Sequence, residues 1–252
     1  MNNKPYTNKS KFIDILWLDK EKKQIEFICK IKKRYLGNKK IILIDAACGT
    51  GRLSKKLLNK ANIKRIVCYD SSEDMIKYAK KKIKTDKISF YKASLGKFTP
   101  SIKAEIIICM YTSFNYLLND RDIESTLFSF NKSLVKGGIV VLDLANLFYF
   151  AMYGDKSRTL EFNRQNAKIN QIIKNSYNPF DNLWISEETI FYQEGSKISR
   201  INEKHLLRYI TFTEIKFFCK KTKFKIKDIF FDYSLNKELN SGRIIFILQK
   251  SK

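Results

Sequence analysis

The stretch Ile41-Ile42-Leu43-Ile44-Asp45-Ala46-Ala47-Cys48-Gly49-Thr50-Gly51-Arg52 constrains this chain more than any other. Four consecutive branched apolar residues read as a strand covered on both faces, as in a parallel sheet packed between helices. A carboxylate closes the strand and a tight loop with two glycines follows. Leu53, Leu57 and Leu58 then mark a helix from Arg52 to about Lys60. Such a unit brings bare backbone against a nucleotide-like ligand, because glycine carries no Cβ and the helix opens with free N–H groups. It demands an α/β protein around it.

The neighbouring segments supply one. Ile25, Ile28, Ile31 and Tyr35 give residues 20–36 a helical stripe before the first strand. Arg65–Asp70 reads as a second strand ending in a carboxylate. A helix follows with Glu73 and Asp74 in its first turn, and Ser71 and Asp74 have capping-box spacing. Lys87–Lys92 and Glu105–Met110 read as strands 3 and 4. The helix over Arg121–Val135 shows Ile123, Leu127, Phe130 and Leu134 on one face, with Gly137 and Gly138 as its stop, and Ile139–Leu144 is strand 5. The alternation implies a doubly wound parallel sheet.

After strand 5 the pattern changes. Leu183–Tyr192 and His205–Ile210 are β-prone, so residues 151–210 are expected to hold an antiparallel insertion. In the first run Trp184, Ser186, Glu188, Ile190 and Tyr192 fall on one face. A helix over Thr213–Lys221 follows, with Thr211 and Glu214 at capping-box spacing. Two strands, Lys225–Asp232 and Arg243–Gln249, are too close for a helix between them and should pair antiparallel. The chain reads as one domain over 1–252, with a cap and helix in 1–37. The aromatic segment Tyr6–Trp17 has the composition either to close over a pocket or to cover the sheet edge.

Composition narrows the function classes. There are 49 Lys and Arg against 25 Asp and Glu, a formal charge of +24. That points to an anionic partner or to compositional bias. The lysines run through every segment without forming one stripe, which favours bias. Five separated cysteines without a CxxC pair, and one histidine, give no structural zinc pattern and no metal expectation. The cysteines read as buried thiols of a reducing compartment. The longest apolar run, Ile139–Tyr153, is broken by Asp143 and Asn146 and is too short to span a bilayer. The N-terminal residues lack a signal-peptide core, so a cytoplasmic location is expected.

Two ligand classes suit the glycine loop. A dinucleotide fingerprint needs a third glycine where Ser54 stands, and Asp45 would lie poorly beside a pyrophosphate. A cofactor with a cationic end and no phosphates suits Asp45. Asp70 falls where a ribose-binding carboxylate belongs.

These segments together, Asp45–Arg52 and Tyr69-Asp70-Ser-Ser-Glu-Asp-Met75, resemble motifs I and II of the class I S-adenosylmethionine-dependent methyltransferases. Glu105–Tyr116 looks like their strand-4 motif and Leu134–Asp143 like their strand-5 entry. The closing strand pair matches their Rossmann-like seven-stranded sheet with an antiparallel last strand. Met110–Leu117 and His205–Glu214 are similar to the small-molecule branch, which includes glycine and aminosugar N-methyltransferases. The resemblance implies that Asp45, Ala47, Gly49 and Gly51 border the methionine part of the cofactor. It puts Asp70 on the ribose, Met75 against adenine, Ser94 and Leu95 at the adenine edge, and Met110 on the pocket floor. Ala47 replaces a usual glycine, and Ser94 stands where many members carry Asp.

The implied reaction moves a methyl group to N or O of a small polar acceptor, such as a sugar or another precursor of a surface polysaccharide. An amine acceptor needs no strong base, whereas a hydroxyl does. His205, the one side chain with an ordinary pKa near neutrality, and Asp143, at the end of strand 5, are the catalytic candidates. Tyr111, Asn115 and Arg208 are candidates to hold the acceptor. The charge also suits an RNA methyltransferase, although no Asn/Asp-Pro-Pro-Tyr base-flipping motif follows strand 4. A third reading is a non-catalytic, methyltransferase-like protein that binds cofactor or partner. The oligomeric state is not legible.

Overall fold

The computed structural model describes Asp14 and residues 21–97, 102–154, 156–164, 167–235 and 241–251. The Tyr6–Trp17 segment, Asp14 apart, lies outside the described residues. The strands β1 (Ile41–Ala46), β2 (Ile63–Asp70), β3 (Ile88–Lys92), β4 (Ala104–Cys109), β5 (Leu134–Ala145), β10 (Phe224–Phe231) and β11 (Arg243–Lys250) form one seven-stranded sheet. Its order is β10-β11-β5-β4-β1-β2-β3. β1 pairs parallel with β2 and β4, while β11 pairs antiparallel with β5 and β10.

Helices cover both faces. On one side α1 (Lys22–Leu36), α2 (Arg52–Leu58) and α3 (Glu73–Lys82) bury Ile28, Ile31, Leu57 and Ile76 against Leu43, Cys68 and Ile108. On the other, α4 (Asp120–Ser133) and α6 (Phe212–Lys221) bury Ile123, Leu127, Phe130 and Phe218 against Ile44, Ile107 and Leu142. The alternation along each strand assigns neighbours to opposite faces, which is why the buried strands are apolar throughout. Between the two helices of the second layer in sequence, α5 (Leu147–Tyr153) leads into four antiparallel strands. These are β6 (Ser157–Arg164), β7 (Ala167–Asn178), β8 (Leu183–Glu194) and β9 (Lys197–Arg208), in the order β6-β7-β8-β9.

Two local expectations change. Ser72, not Ser71, caps α3, its hydroxyl accepting from the Met75 amide, because Ser71 is still part of the turn out of β2. Gly137 and Gly138 do not stop α4; they lie inside β5, which starts at Leu134 directly after the helix. A Cβ on Gly138 would come within 3.2 Å of the Glu105 carbonyl, so the glycine permits a close approach of β4. The capping box at α6 forms as expected. The Thr211 hydroxyl accepts from Glu214 N at 3.1 Å and Glu214 Oε2 accepts from Thr211 N at 2.7 Å.

Candidate active site

The loop after β1 is set by three residues with left-handed backbone: Ala47 (φ 69°), Gly49 (φ 54°) and Gly51 (φ 71°). Ala47 N and Cys48 N both donate to the Tyr69 carbonyl, at 2.8 and 2.9 Å, and so tie the loop to β2. The two glycines do different work. A Cβ on Gly51 would lie 2.6 Å from the Phe90 ring, so that position is needed for packing. A Cβ on Gly49 would meet no atom of the described residues within 4 Å, so among them its backbone is left uncovered.

Asp70 completes the loop. Its Oδ2 accepts from Gly49 N at 2.7 Å and its Oδ1 from Ser72 N at 2.8 Å. Burial raises its pKa, against the lowering effect of the amides of Ser72, Gly49 and Ser71. One amide occupies each oxygen, and a carboxylate with about four acceptor positions has capacity left for a ligand hydroxyl. Asp45 is buried (2 % exposed) and accepts from Ser54 Oγ at 2.5 Å. Desolvation pushes its pKa up to about 7, and the neighbouring Asp70 charge adds to the rise. A cationic ligand is what would restore its charge. A ribose beside Asp70 and a cation beside Asp45 suit this donor set, and among the described residues Gly49 leaves room for them.

The rim of the loop is held by ions. The Thr50 hydroxyl donates to Asp14 Oδ1 at 2.6 Å, and the Arg52 guanidinium pairs with the buried Glu21 carboxylate and with Asp14. Met75 is buried in the first turn of α3, and Met110 is buried at the end of β4. Leu95, half-buried, packs toward the α4 side, while Ser94 beside it is exposed.

At the end of the neighbouring strand β4, Tyr111 and Thr112 also adopt left-handed backbone (φ 56° and 63°), an unusual conformation for bulky or branched residues. The carboxylate of Asp143, fully buried, stabilises it. Asp143 Oδ2 accepts from Tyr111 N at 2.8 Å, from the Tyr233 hydroxyl at 2.6 Å and from Arg243 at 2.5 Å. Asp143 Oδ1 and Arg243 Nε are buried with no hydrogen-bond partner among the described residues. Asp143 holds the Arg243 charge and pushes its pKa up. Burial, chiefly, also raises the Tyr111 and Tyr233 phenols.

The same loop is fastened a second time. Asn115, fully buried, accepts from Ala145 N at 3.0 Å and donates to the Arg208 carbonyl at 2.9 Å. Its neighbour Tyr116 has its hydroxyl 2.8 Å from His205 Nδ1. His205, 4 % exposed, turns Nε2 toward Glu203 Oε2 at 3.1 Å and Glu188 Oε1 at 3.7 Å, and Gln171 donates to Glu188 at 2.9 Å. Arg208 is placed differently. It pairs with Asp120 at 2.8 Å and Glu214 at 2.6 Å, so its charge joins β9 to the starts of α4 and α6.

The structure thus brings together Asp45, Gly49, Gly51 and Asp70 at one end of the cleft. Tyr111 with Asp143, and Asn115 with Tyr116 and His205, gather along the loop after β4. Sequence reasoning missed Tyr233, Arg243, Glu188, Glu203 and Gln171. The alternation of Ser186, Glu188 and Ile190 on one face signalled the second group, since two polar residues there would be buried with an isoleucine.

Residues 43–138 match a family described as a methyltransferase domain. A Bacillus subtilis (strain 168) protein named as a methyltransferase, YqeM, is 26% identical over 216 residues, covering 83% of this chain and 84% of its own. Among solved structures, an S-adenosylmethionine-dependent methyltransferase from Clostridium acetobutylicum superposes with a TM-score of 0.80. It is 22% identical and covers 97% of this chain and 96% of its own. The sugar N-methyltransferase KedS8 from Streptoalloteichus shares the fold at a TM-score of 0.78 and 13% identity, covering 95% and 93%. Residues 43–138 thus carry a methyltransferase domain, and the sheet around them has the Rossmann-like fold of these S-adenosylmethionine-dependent methyltransferases.

Proposed function

We propose that this methyltransferase acts on a nitrogen or oxygen of a small polar acceptor of the sugar class. The observation that carries the reading is the contact of the antiparallel sheet with the loop after β4, where Tyr116 meets His205. A sheet that buries Ser186, Glu203 and His205 beside that loop suits a small, hydrogen-bonding acceptor better than a polymer. The shared fold with a sugar N-methyltransferase supports the sugar class.

The cofactor supplies an activated methyl group, so the protein's work is positioning and proton handling. Asp45, Ala47, Gly49, Gly51 and Asp70 hold the cofactor, with Met75, Ser94 and Leu95 around its base and Met110 beneath. Asp143 Oδ1, buried and without a donor among the described residues, accepts a hydrogen bond from the acceptor group, and Tyr111 and Asn115 shape its pocket. His205 takes the acceptor proton through the Tyr116 hydroxyl on its Nδ1, and Glu203 steadies the imidazolium from Nε2.

The test is S-adenosylhomocysteine release with pooled amino sugars, nucleotide-linked sugars, other small metabolites and RNA. Turnover with a sugar pool is expected. With a hydroxyl acceptor His205→Ala and Tyr116→Phe should lower kcat about a hundredfold, and with an amine acceptor by less, while leaving cofactor affinity unchanged. Turnover with RNA alone would overturn the proposal.

A further inference from the structure

The lysines that look dispersed along the chain converge in space. In a parallel sheet every helix-to-strand connection lies at the amino edge of the strands, opposite the cofactor loops. Here those connections carry exposed cations, Lys39 and Lys40 before β1, Lys64 and Arg65 at the start of β2, and Lys84 and Lys87 before β3, with one acid, Asp86, among them. They are direct neighbours. Asn62 Nδ2 donates to the Asn38 carbonyl at 2.7 Å, and Ile66 N to the Lys87 carbonyl at 2.9 Å. The edge continues across the sheet. Lys103 Nζ reaches the Lys132 carbonyl, Lys250 Nζ the Asn131 carbonyl at 2.7 Å, and Ser251 N the Lys223 carbonyl at 3.1 Å.

The opposite edge carries Asp45, Asp70, Glu73, Asp74, Asp120 and Asp143, together with Arg52, Lys92, Arg208 and Arg243. The difference between the two edges is pairing: these four cations are held by carboxylates, whereas among the described residues no ion pair holds the six at the amino edge. Helix dipoles account for cations in the last helical turns, such as Lys80 and Lys81 of α3. They do not account for the six residues named first, which lie outside any helix.

We propose that this basic edge docks on the surface of a bilayer rich in anionic phospholipid, with the cleft facing away. Three observations favour that occupant. The cations form a two-dimensional array: the edge of seven strands is about 30 Å long, and helix ends widen it. A plane meets such an array at every point, whereas a nucleic-acid strand would follow a line. Lysines dominate the edge, giving point charges rather than the planar forks that read phosphate and base together. Among the described residues no exposed large apolar or aromatic side chain falls in these connections, so nothing there stacks on bases or inserts into lipid. Binding of this kind is electrostatic and reversible, each cation adding to the attraction.

Sedimentation of the chain with vesicles tests the proposal without reference to methyl transfer. One vesicle is phosphatidylcholine alone; the other is phosphatidylcholine and phosphatidylglycerol in equal parts. Binding is expected only to the second, and is lost in about 1 M sodium chloride, where the Debye length is about 3 Å. Reversal of Lys39, Lys40, Lys84 and Lys87 to Glu should weaken binding by about a hundredfold or more. The same reversals at Lys156, Lys168, Lys174 and Lys197 of the antiparallel sheet change net charge equally and should weaken it less than about tenfold. Thermal melting and cofactor binding of both variants confirm that they fold. Absence of binding to the anionic vesicles, or equal loss in the two variants, overturns the proposal. So does tighter retention of a duplex RNA that the first variant alone abolishes.

Discussion

The Tyr111 amide donates to Asp143 Oδ2 at 2.8 Å, and this bond holds the loop after β4 in its left-handed turn beside the end of β5. The same oxygen takes the charge of Arg243. Removing the carboxylate leaves a buried guanidinium without its counter-ion. Asp143→Ala should therefore cost about 3–5 kcal/mol in urea unfolding, and Asp143→Asn, which still accepts from Tyr111 N, distinctly less. A loss below about 1 kcal/mol for the alanine variant would show that the pair does not hold the loop.

The two loop glycines should separate in their effects. Gly51→Ala pushes a methyl into Phe90 and should lower the melting temperature. Gly49→Ala meets no atom of the described residues, so it should cost only the strain of a left-handed alanine, about 1–2 kcal/mol, while weakening cofactor binding by more than Gly51→Ala does. Calorimetric titration beside a melting curve distinguishes them. Equal cofactor loss in both would contradict the division.

Asp45 gives a pH signature. Burial lifts its pKa from 3.8 to about 7 in the fold, so the folded state holds a proton that the unfolded chain releases. Its contribution to stability is fully present below the ordinary carboxylate pKa and fades as pH rises toward 7. A cationic cofactor favours the charged form, so affinity for S-adenosylmethionine should increase from about pH 6 to about pH 8. Asp45→Asn should flatten that slope. A slope unchanged by the substitution would assign the titration to another group.

At α6, Thr211→Ala removes the hydroxyl that accepts from Glu214 N and should cost about 1 kcal/mol. Glu214→Ala costs more, because Arg208 then keeps only Asp120 as its counter-charge. Chemical denaturation of the two variants ranks them, and the reverse order would show that the cap outweighs the ion pair.

The geometry of the glycine loop, the candidate cofactor site, was legible because it is contiguous. A strand, a carboxylate, two glycines and a helix start within twelve residues, and the backbone geometry follows from those residue types alone. The proposed acceptor site is assembled from distant segments. Glu188 faces Glu203, and Ser186 faces His205, only because the hairpin between β8 and β9 sets that register. No local pattern announces a cross-strand partner. Tyr233 and Arg243 are likewise invisible until β11 pairs with β5. The end of α4 was misread since glycine stops helices more often than it sits inside strands. Here the close passage of β4 decides. The lysines were visible as a number and hidden as a surface, because topology alone brings successive connections to one edge.

The placement of β11 between β10 and β5 has a consequence for how the chain folds. The pairings β1–β2 and β2–β3 close short loops, with the αβ units between them. The contact of Arg243 with Asp143 spans 100 residues and must wait until the four-stranded sheet between them is accommodated. Closing that long loop carries the larger entropy cost and the slower search. The β1–β2 end with its glycine loop can therefore take shape early, and the Asp143–Arg243 end, proposed to face the acceptor, is completed last.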